Sequence, residues 1–280
     1  MIIEPHIQKL IGGSVKANFV RYSNGAKNVV PWFHGVGESG PTDGSTIQLV
    51  EKLEGFPRYA KGKRPWGSTI TGSVEYDFDI VAFQVERLSD VKTSYDFLRP
   101  HLFTFLHNEY GYENIIIGGI SMGNFGAWRM IQKSTPGIEY VKGIIAICGS
   151  GSIGASELKM LPGIAWHGYV DDVVGYASHK KFVDSYNAAG GSVEFNTLTT
   201  PTYEGTPSIK HNAWTYAFNT NPAKDRTRQK VEEIFQQADI MKDLDRIRSE
   251  RNTLKTENAD LKGKIQNAKN IIGNALNLFP

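Results

Sequence analysis

Two short apolar runs constrain the fold of this 280-residue chain more than any other feature. Ile115-Ile116-Ile117 and Ile144-Ile145-Ala146-Ile147 show no alternation with polar residues. A strand with one wet face alternates, whereas a strand that is apolar throughout must be covered on both sides. Such coverage is what a parallel sheet receives from helices packed on each face. The surrounding sequence agrees. Short runs rich in Val, Ile and Phe predict strands at 17–22, 29–34, 79–84, 114–120, 142–148, 163–168 and 192–198. Helices are predicted at 47–53, 91–108, 124–134, 177–189 and 212–219. The alternation implies a doubly wound, mostly parallel α/β domain over 1–222.

Composition narrows the function classes. With 40% hydrophobic and 21% charged residues, the chain can build a sizeable core and is not disordered throughout. Lys and Arg exceed Asp and Glu by 31 − 29 = 2, which gives no electrostatic case for nucleic acid or an acidic membrane surface. The single cysteine, Cys148, excludes an intrachain disulfide and a cysteine-based zinc site, and no histidine pair has metal-ligand spacing. No apolar run approaches the ~18 residues of a membrane span. The start, Met1-Ile2-Ile3-Glu4-Pro5-His6, lacks the pattern of a signal peptide, so a cytoplasmic location is expected, with release by assembly or lysis.

The segment 223–280 has a different texture. It has no Trp or Tyr, and 21 of its 58 residues are charged, which suits a long exposed helix. Ile240, Ile247, Leu254 and Leu261 fall at heptad position d, and Leu244, Arg251, Asn258 and Ile265 at a. A 3.5-residue repeat predicts a left-handed coiled coil, and a polar a position favours one register in a dimer or trimer. The alternative is a single helix folded back on the domain. Arg251 and Asn258 would sit poorly in such a dry groove.

Chemistry enters with Gly119-Ile120-Ser121-Met122-Gly123, the one G-x-S-x-G of the chain. It lies between an apolar strand and a helix, the setting in which a tight turn lifts a serine hydroxyl clear of a sheet. A serine needs a base within reach and a carboxylate to orient that base. Downstream stand His167, His179 and His211. His179 is flanked by lysines and reads as exposed. His167 ends a strand, and His211 lies in a loop beyond the last strand, where a general base belongs. His167-Gly168-Tyr169-Val170-Asp171-Asp172 supplies two adjacent carboxylates, one to orient the base and one to cap a turn or meet solvent. Upstream, the Gly-rich Phe33-His34-Gly35-Val36-Gly37-Glu38-Ser39-Gly40 allows backbone N–H groups to approach a developing oxyanion, with Val36 and Met122 as the natural donors.

Taken together, these segments resemble the α/β-hydrolase superfamily. The narrower likeness is to the lidless esterase branch of feruloyl and acetyl-xylan esterases, polyhydroxybutyrate-depolymerase-like proteins and predicted peptidases. It rests on the Phe33–Gly40 run, on Gly119-Ile120-Ser121-Met122-Gly123-Asn124-Phe125-Gly126-Ala127-Trp128, on Trp166-His167-Gly168-Tyr169-Val170-Asp171-Asp172-Val173-Val174, and on His211-Asn212-Ala213-Trp214. The resemblance implies Ser121 as nucleophile, Asp171 as orienting acid, His211 as base, and Val36 with Met122 as oxyanion hole. His34, Glu38, Trp66 and Trp214 are the expected substrate contacts. An ester is the implied substrate, with an acylated polymer such as a glycan among the candidates, and no cofactor is required. The branch usually has Gly where Asn124 stands and Pro where Gly175 stands, and it lacks the tail. A terminal coil suits a multivalent or particle-borne enzyme, such as a virion component. The rival classes are a non-catalytic binding protein on the same scaffold and a serine peptidase.

Other motifs are weaker. Gly149-Ser150-Gly151-Ser152-Ile153-Gly154 matches a dinucleotide fingerprint, but Pro162 leaves too short a helix behind it. Lys61, Lys63 and Arg64 read as a solvated loop, and Trp128 as pocket wall or core.

Overall fold

A computed structural model describes residues 1–52, 55–61, 76–86, 93–199, 210–218 and 225–276. Eight strands form one sheet: β1 (Ile2–Gly12), β2 (Val15–Ser23), β3 (Asn28–Phe33), β4 (Asp79–Gln84), β5 (Asn114–Ile120), β6 (Val141–Ile147), β7 (Pro162–Gly168) and β8 (Ser192–Leu198). Their spatial order is β1-β2-β4-β3-β5-β6-β7-β8. Pairing is antiparallel for β1–β2 and β2–β4 and parallel from β4 onward.

The apolar runs are explained by two cores, one on each face. Ile115, Ile117, Ile144 and Ala146 enter the first, with Trp128, Val183 and Tyr186. Ile116, Ile120, Ile145 and Ile147 enter the second, with Phe56, Ala217, Val231 and Phe235. Successive side chains of a strand point to opposite faces, so burial on both requires every position to be apolar. Each such isoleucine contributes about 1.5–3 kcal/mol of hydrophobic stabilisation.

The helices are α1 (Phe56–Ala60), α2 (Thr93–Asp96), α3 (Leu102–Tyr110), α4 (Met122–Met130), α5 (Tyr176–Ala188), α6 (Trp214–Ala217) and α7 (Arg226–Leu276). Strands β4, β5 and β8 match the predicted spans residue for residue. Three helical predictions are corrected. The helix expected over 91–108, of which 91 and 92 lie outside the described residues, is split into α2 and α3, because Pro100 can neither donate to a helix ladder nor let Arg99 settle into it. The segment 47–53 is a 3-10 turn, Ile47–Glu51, with 53 outside the described residues. The segment 212–219 keeps only the single turn of α6 among its described residues, with 219 outside them. Strand β1 has no counterpart among the predicted strands. It is an edge strand with Pro5 in it and Ile2, Ile7 and Leu10 exposed, so neither continuous burial nor clean alternation marks it.

The chain divides into a compact unit, Met1–Phe235, and a second unit, Gln236–Pro280. The first runs past the boundary expected at 222, because Val231, Ile234 and Phe235 of α7 are buried in its core. Asp225 caps α7 by accepting from Arg228 N–H at 2.8 Å. In the second unit α7 continues to Leu276, with Ile240, Leu244, Ile247, Leu254, Leu261 and Ile265 exposed. Among the described residues no helix is long and apolar enough to cross a membrane.

Candidate active site

Ser121 directly follows β5 and precedes α4, with φ 51° and ψ −116°. The left-handed region is costly for a residue with a Cβ, and the flanking glycines show what enforces it. A Cβ on Gly119 would lie 2.4 Å from Gly123 O, and one on Gly123 would lie 2.2 Å from Phe33 O. Only glycine permits this crossing, which sets the start of α4 against the backbone of Phe33 and His34.

That turn is clamped from behind. His34 is fully buried, with Nδ1 2.7 Å from Gly35 O and Nε2 2.9 Å from Val85 N. A carbonyl only accepts, so Nδ1 carries the proton and Nε2 accepts from Val85 N–H. Burial holds the ring's pKa down to about 4, so it stays neutral. Glu38, also buried, accepts from Gly35 N–H at 3.0 Å, and Gln84 Nε2 donates to Glu38 O at 3.1 Å. His34 and Glu38, expected as substrate contacts, therefore have their side chains turned into the protein, where they shape the turn. Val36, the first residue of the 3-10 turn Val36–Glu38, is 41% exposed. Met122 is the first residue of α4, where a helix leaves N–H groups without internal partners.

The structure brings Ser121, His211 and Asp171 into one hydrogen-bonded chain. Ser121 Oγ lies 2.8 Å from His211 Nε2, and His211 Nδ1 lies 2.7 Å from Asp171 Oδ2. Asp171 sits in the turn after β7, where its Oδ1 accepts from Val173 N–H and Val174 N–H, each at 2.9 Å. Burial alone would raise its pKa. Hydrogen bonds from His167, His211 and the two amides outweigh it and hold the carboxyl well below the usual range. The neighbouring carboxylate, Asp172, points to solvent and pairs with Lys210 at 3.0 Å. The Trp214 ring stands edge-on to His211, with centroids 5.4 Å apart.

Two histidines have roles that sequence reasoning missed. His179, expected to be exposed beside Lys180 and Lys181, is fully buried in α5 and meets His167. The signal was present in the stripe His179, Val183, Tyr186, which is the buried face of that helix. Trp66, Lys63 and Arg64 lie outside the described residues, while Lys61 pairs with Glu51 at 2.6 Å. Trp128 is core, packed edge-on against Phe182 and Tyr186. The glycine run 149–154 leads only into a 3-10 turn, Ala155–Glu157.

Among the described residues, Cys148, Asp171 and His211 also bring potential ligand atoms within 4.8 Å of one another. Burial, helped by the Asp171 charge, pushes the Cys148 thiol up to about 12, so it stays protonated. Asp171 and His211 are already bonded to each other. This donor set suits a hydrogen-bond chain better than a metal ion.

No family model and no curated protein matches the sequence. Solved structures do. A thermostable esterase aligns with a TM-score of 0.56 and 22% identity over 84% of this chain. This chain spans only 62% of that protein's length. An inhibited esterase B from Lactobacillus rhamnosis gives a TM-score of 0.56 and 11% identity, covering 86% of this chain and 90% of the other. Thermogutta terrifontis esterase 2, phosphoramylated by tabun, gives 0.50 and 13%, covering 85% and 94%. At these identities the likeness establishes the fold, a mixed eight-stranded α/β-hydrolase sheet, here with a long C-terminal helix.

Proposed function

We propose that this chain is a serine hydrolase of carboxylic esters. The observation that carries the reading is the chain of contacts from Ser121 Oγ to His211 Nε2 at 2.8 Å and from His211 Nδ1 to Asp171 Oδ2 at 2.7 Å. The names of the solved structures with the same fold point the same way.

In this reading His211 takes the proton of Ser121 as Oγ bonds to the ester carbonyl carbon. Negative charge develops on the carbonyl oxygen and is met by the N–H groups of Val36 and Met122. The resulting imidazolium is stabilised by Asp171, which remains ionised. Collapse of the tetrahedral intermediate breaks the bond to the alkoxy oxygen, and His211 protonates the departing alcohol. Water then gives a proton to His211 and attacks the acyl-enzyme, which releases the acid and restores Ser121. Trp214, edge-on to His211, flanks the bound ester.

The heptad seam of α7 joins copies of the chain into a dimer or trimer. Several active sites on one stalk suit a polymeric substrate, an acylated glycan for example, and a particle-borne setting. The test of the chemistry is hydrolysis of short p-nitrophenyl esters. Ser121→Ala is expected to lower kcat by about four to six orders of magnitude while leaving the circular dichroism spectrum intact. Unchanged turnover in that variant would overturn the reading.

A further inference from the structure

The hydrogen-bond chain does not end at Asp171. Its Oδ2, which receives His211 Nδ1 at 2.7 Å, also lies 3.1 Å from His167 Nε2. The same His167 nitrogen lies 2.8 Å from Val174 O. His167 Nδ1, on the far side of the ring, lies 2.8 Å from His179 Nδ1. Both histidines are fully buried, and the side chain of Asp171 is shut off from solvent.

The protons along this chain can be placed by elimination. A carbonyl and an ionised carboxylate only accept. His167 Nε2 faces one of each, so it must carry a hydrogen. In a neutral ring Nδ1 then bears the lone pair, and His179 Nδ1 must donate to it. His179 Nε2 is left as an acceptor, and among the described residues it finds no partner. Burial, together with the neighbouring His167, keeps His179 uncharged, despite the attraction of Asp171. A buried acceptor without a donor is unfavourable. That cost sits beside an arrangement in which every other nitrogen of the pair is committed to presenting one N–H toward Asp171. A histidine pair serving packing alone would need only the carbonyl of Val174.

We propose that His167, with its tautomer locked by His179, is a positioning residue for Asp171. It gives the carboxylate a second side-chain donor at the oxygen that orients His211. Resting on the hydrolase reading above, the proposal extends the relay to Ser121–His211–Asp171–His167–His179. Asp171 then receives four donors: two amides at Oδ1 and two imidazoles at Oδ2. Three of the four are independent of the loop that carries His211. The carboxylate is thus held in place by contacts other than His211, and its direction fixes which His211 nitrogen is left to accept from Ser121. Loss of the His167 donor removes the restraint on Oδ2, so the defect belongs in kcat and leaves ester binding largely untouched.

The experiment compares His167→Phe, which fills the space without a donor, with His167→Gln, whose amide can place an N–H near the Nε2 position. In p-nitrophenyl ester hydrolysis, His167→Phe is expected to lower kcat by about 10–100-fold with KM changed by no more than about 2-fold, the scale of one charge-assisted hydrogen bond. His167→Gln is expected to recover all but about 3-fold of that loss. A folded His167→Phe enzyme with full kcat, or a His167→Gln enzyme as impaired as His167→Phe, overturns the proposal. A second measurement needs no variant. Imidazole 15N resonances of the native full chain should show His167 protonated at Nε2 and His179 at Nδ1. The opposite tautomer at His167 overturns the proposal even if the Phe variant fails to fold. Ser121→Ala keeps the two claims apart. If it abolishes turnover while His167→Phe does not, only the relay is wrong. If it leaves turnover intact, the hydrolase reading fails first, and the tautomers still test the contact.

Discussion

Two buried histidines make the folded state sensitive to mild acid. Burial holds His34 down to about 4 and His179 well below its ordinary value. In the unfolded chain both titrate near 6.5. Above ~6.5 neither state binds a proton there, and the stabilisation is fully present. As pH falls from about 6.5 toward 4, the unfolded chain takes up protons that the native chain refuses. Unfolding is then favoured by about 1.4 kcal/mol per pH unit for each histidine, once pH is well below 6.5. Urea unfolding at pH 7, 5.5 and 4.5 should show stability falling across that window, and a flat profile would contradict the burial of both rings. These same residues mark the limit of what the sequence reveals at this scale. The meeting of Ser121, Asp171 and His211 was foreshadowed by short local motifs, the first two just after strands and His211 just before a helix turn. The roles of His34, Glu38, His167 and His179 depend on which distant atoms face them. Val85 N–H lies 51 positions from His34, and no local pattern announces it.

Among the elements, continuous burial was the clearest mark but not the only one, since the half-exposed edge strand β8 was also located to the residue. Strands covered on both faces declared themselves by continuous apolar sequence, and β5 was located to the residue. Edge strand β1, half wet and bulged beyond His6, carries no such mark. The 3-10 turns and the break between α2 and α3 come from local backbone geometry, which hydrophobic periodicity does not encode. Helix α7 was legible as a long helix from charge and heptad spacing. Its capped start and its buried first turns were not, because Val231, Ile234 and Phe235 find their partners on a sheet face far away in sequence. The rest of α7 leaves an apolar seam in water, with Leu254 63% exposed and Leu244 40%. Its ion pairs, such as Lys264–Asp260 at 2.8 Å, add only about 0.2–0.5 kcal/mol each. In the proposed coil, burial of the seam between copies is the larger source of stability. Sedimentation equilibrium should therefore give a dimer or trimer for the full chain and a monomer after deletion of 238–280, with turnover per site retained. An equal association state for both would remove the coil from the account.

For the molecule as a whole, the sheet serves as a frame that lets segments far apart in sequence meet at one edge. Ser121 and His211 are 90 positions apart and 2.8 Å apart in space. The parallel arrangement from β4 onward puts the carboxyl ends of β3, β5 and β7 on the same side, so the Val36 turn, the Ser121 turn and the Asp171 turn converge there. That convergence is the central claim, and covalent labelling tests it most directly. A fluorophosphonate probe should modify the full chain at one residue, with the adduct found by mass spectrometry on the peptide that contains Ser121. His211→Ala should slow the labelling by at least about 1,000-fold, because an unactivated serine hydroxyl is a poor nucleophile. An adduct on another residue, or labelling of Ser121 that proceeds equally fast without His211, would contradict the account.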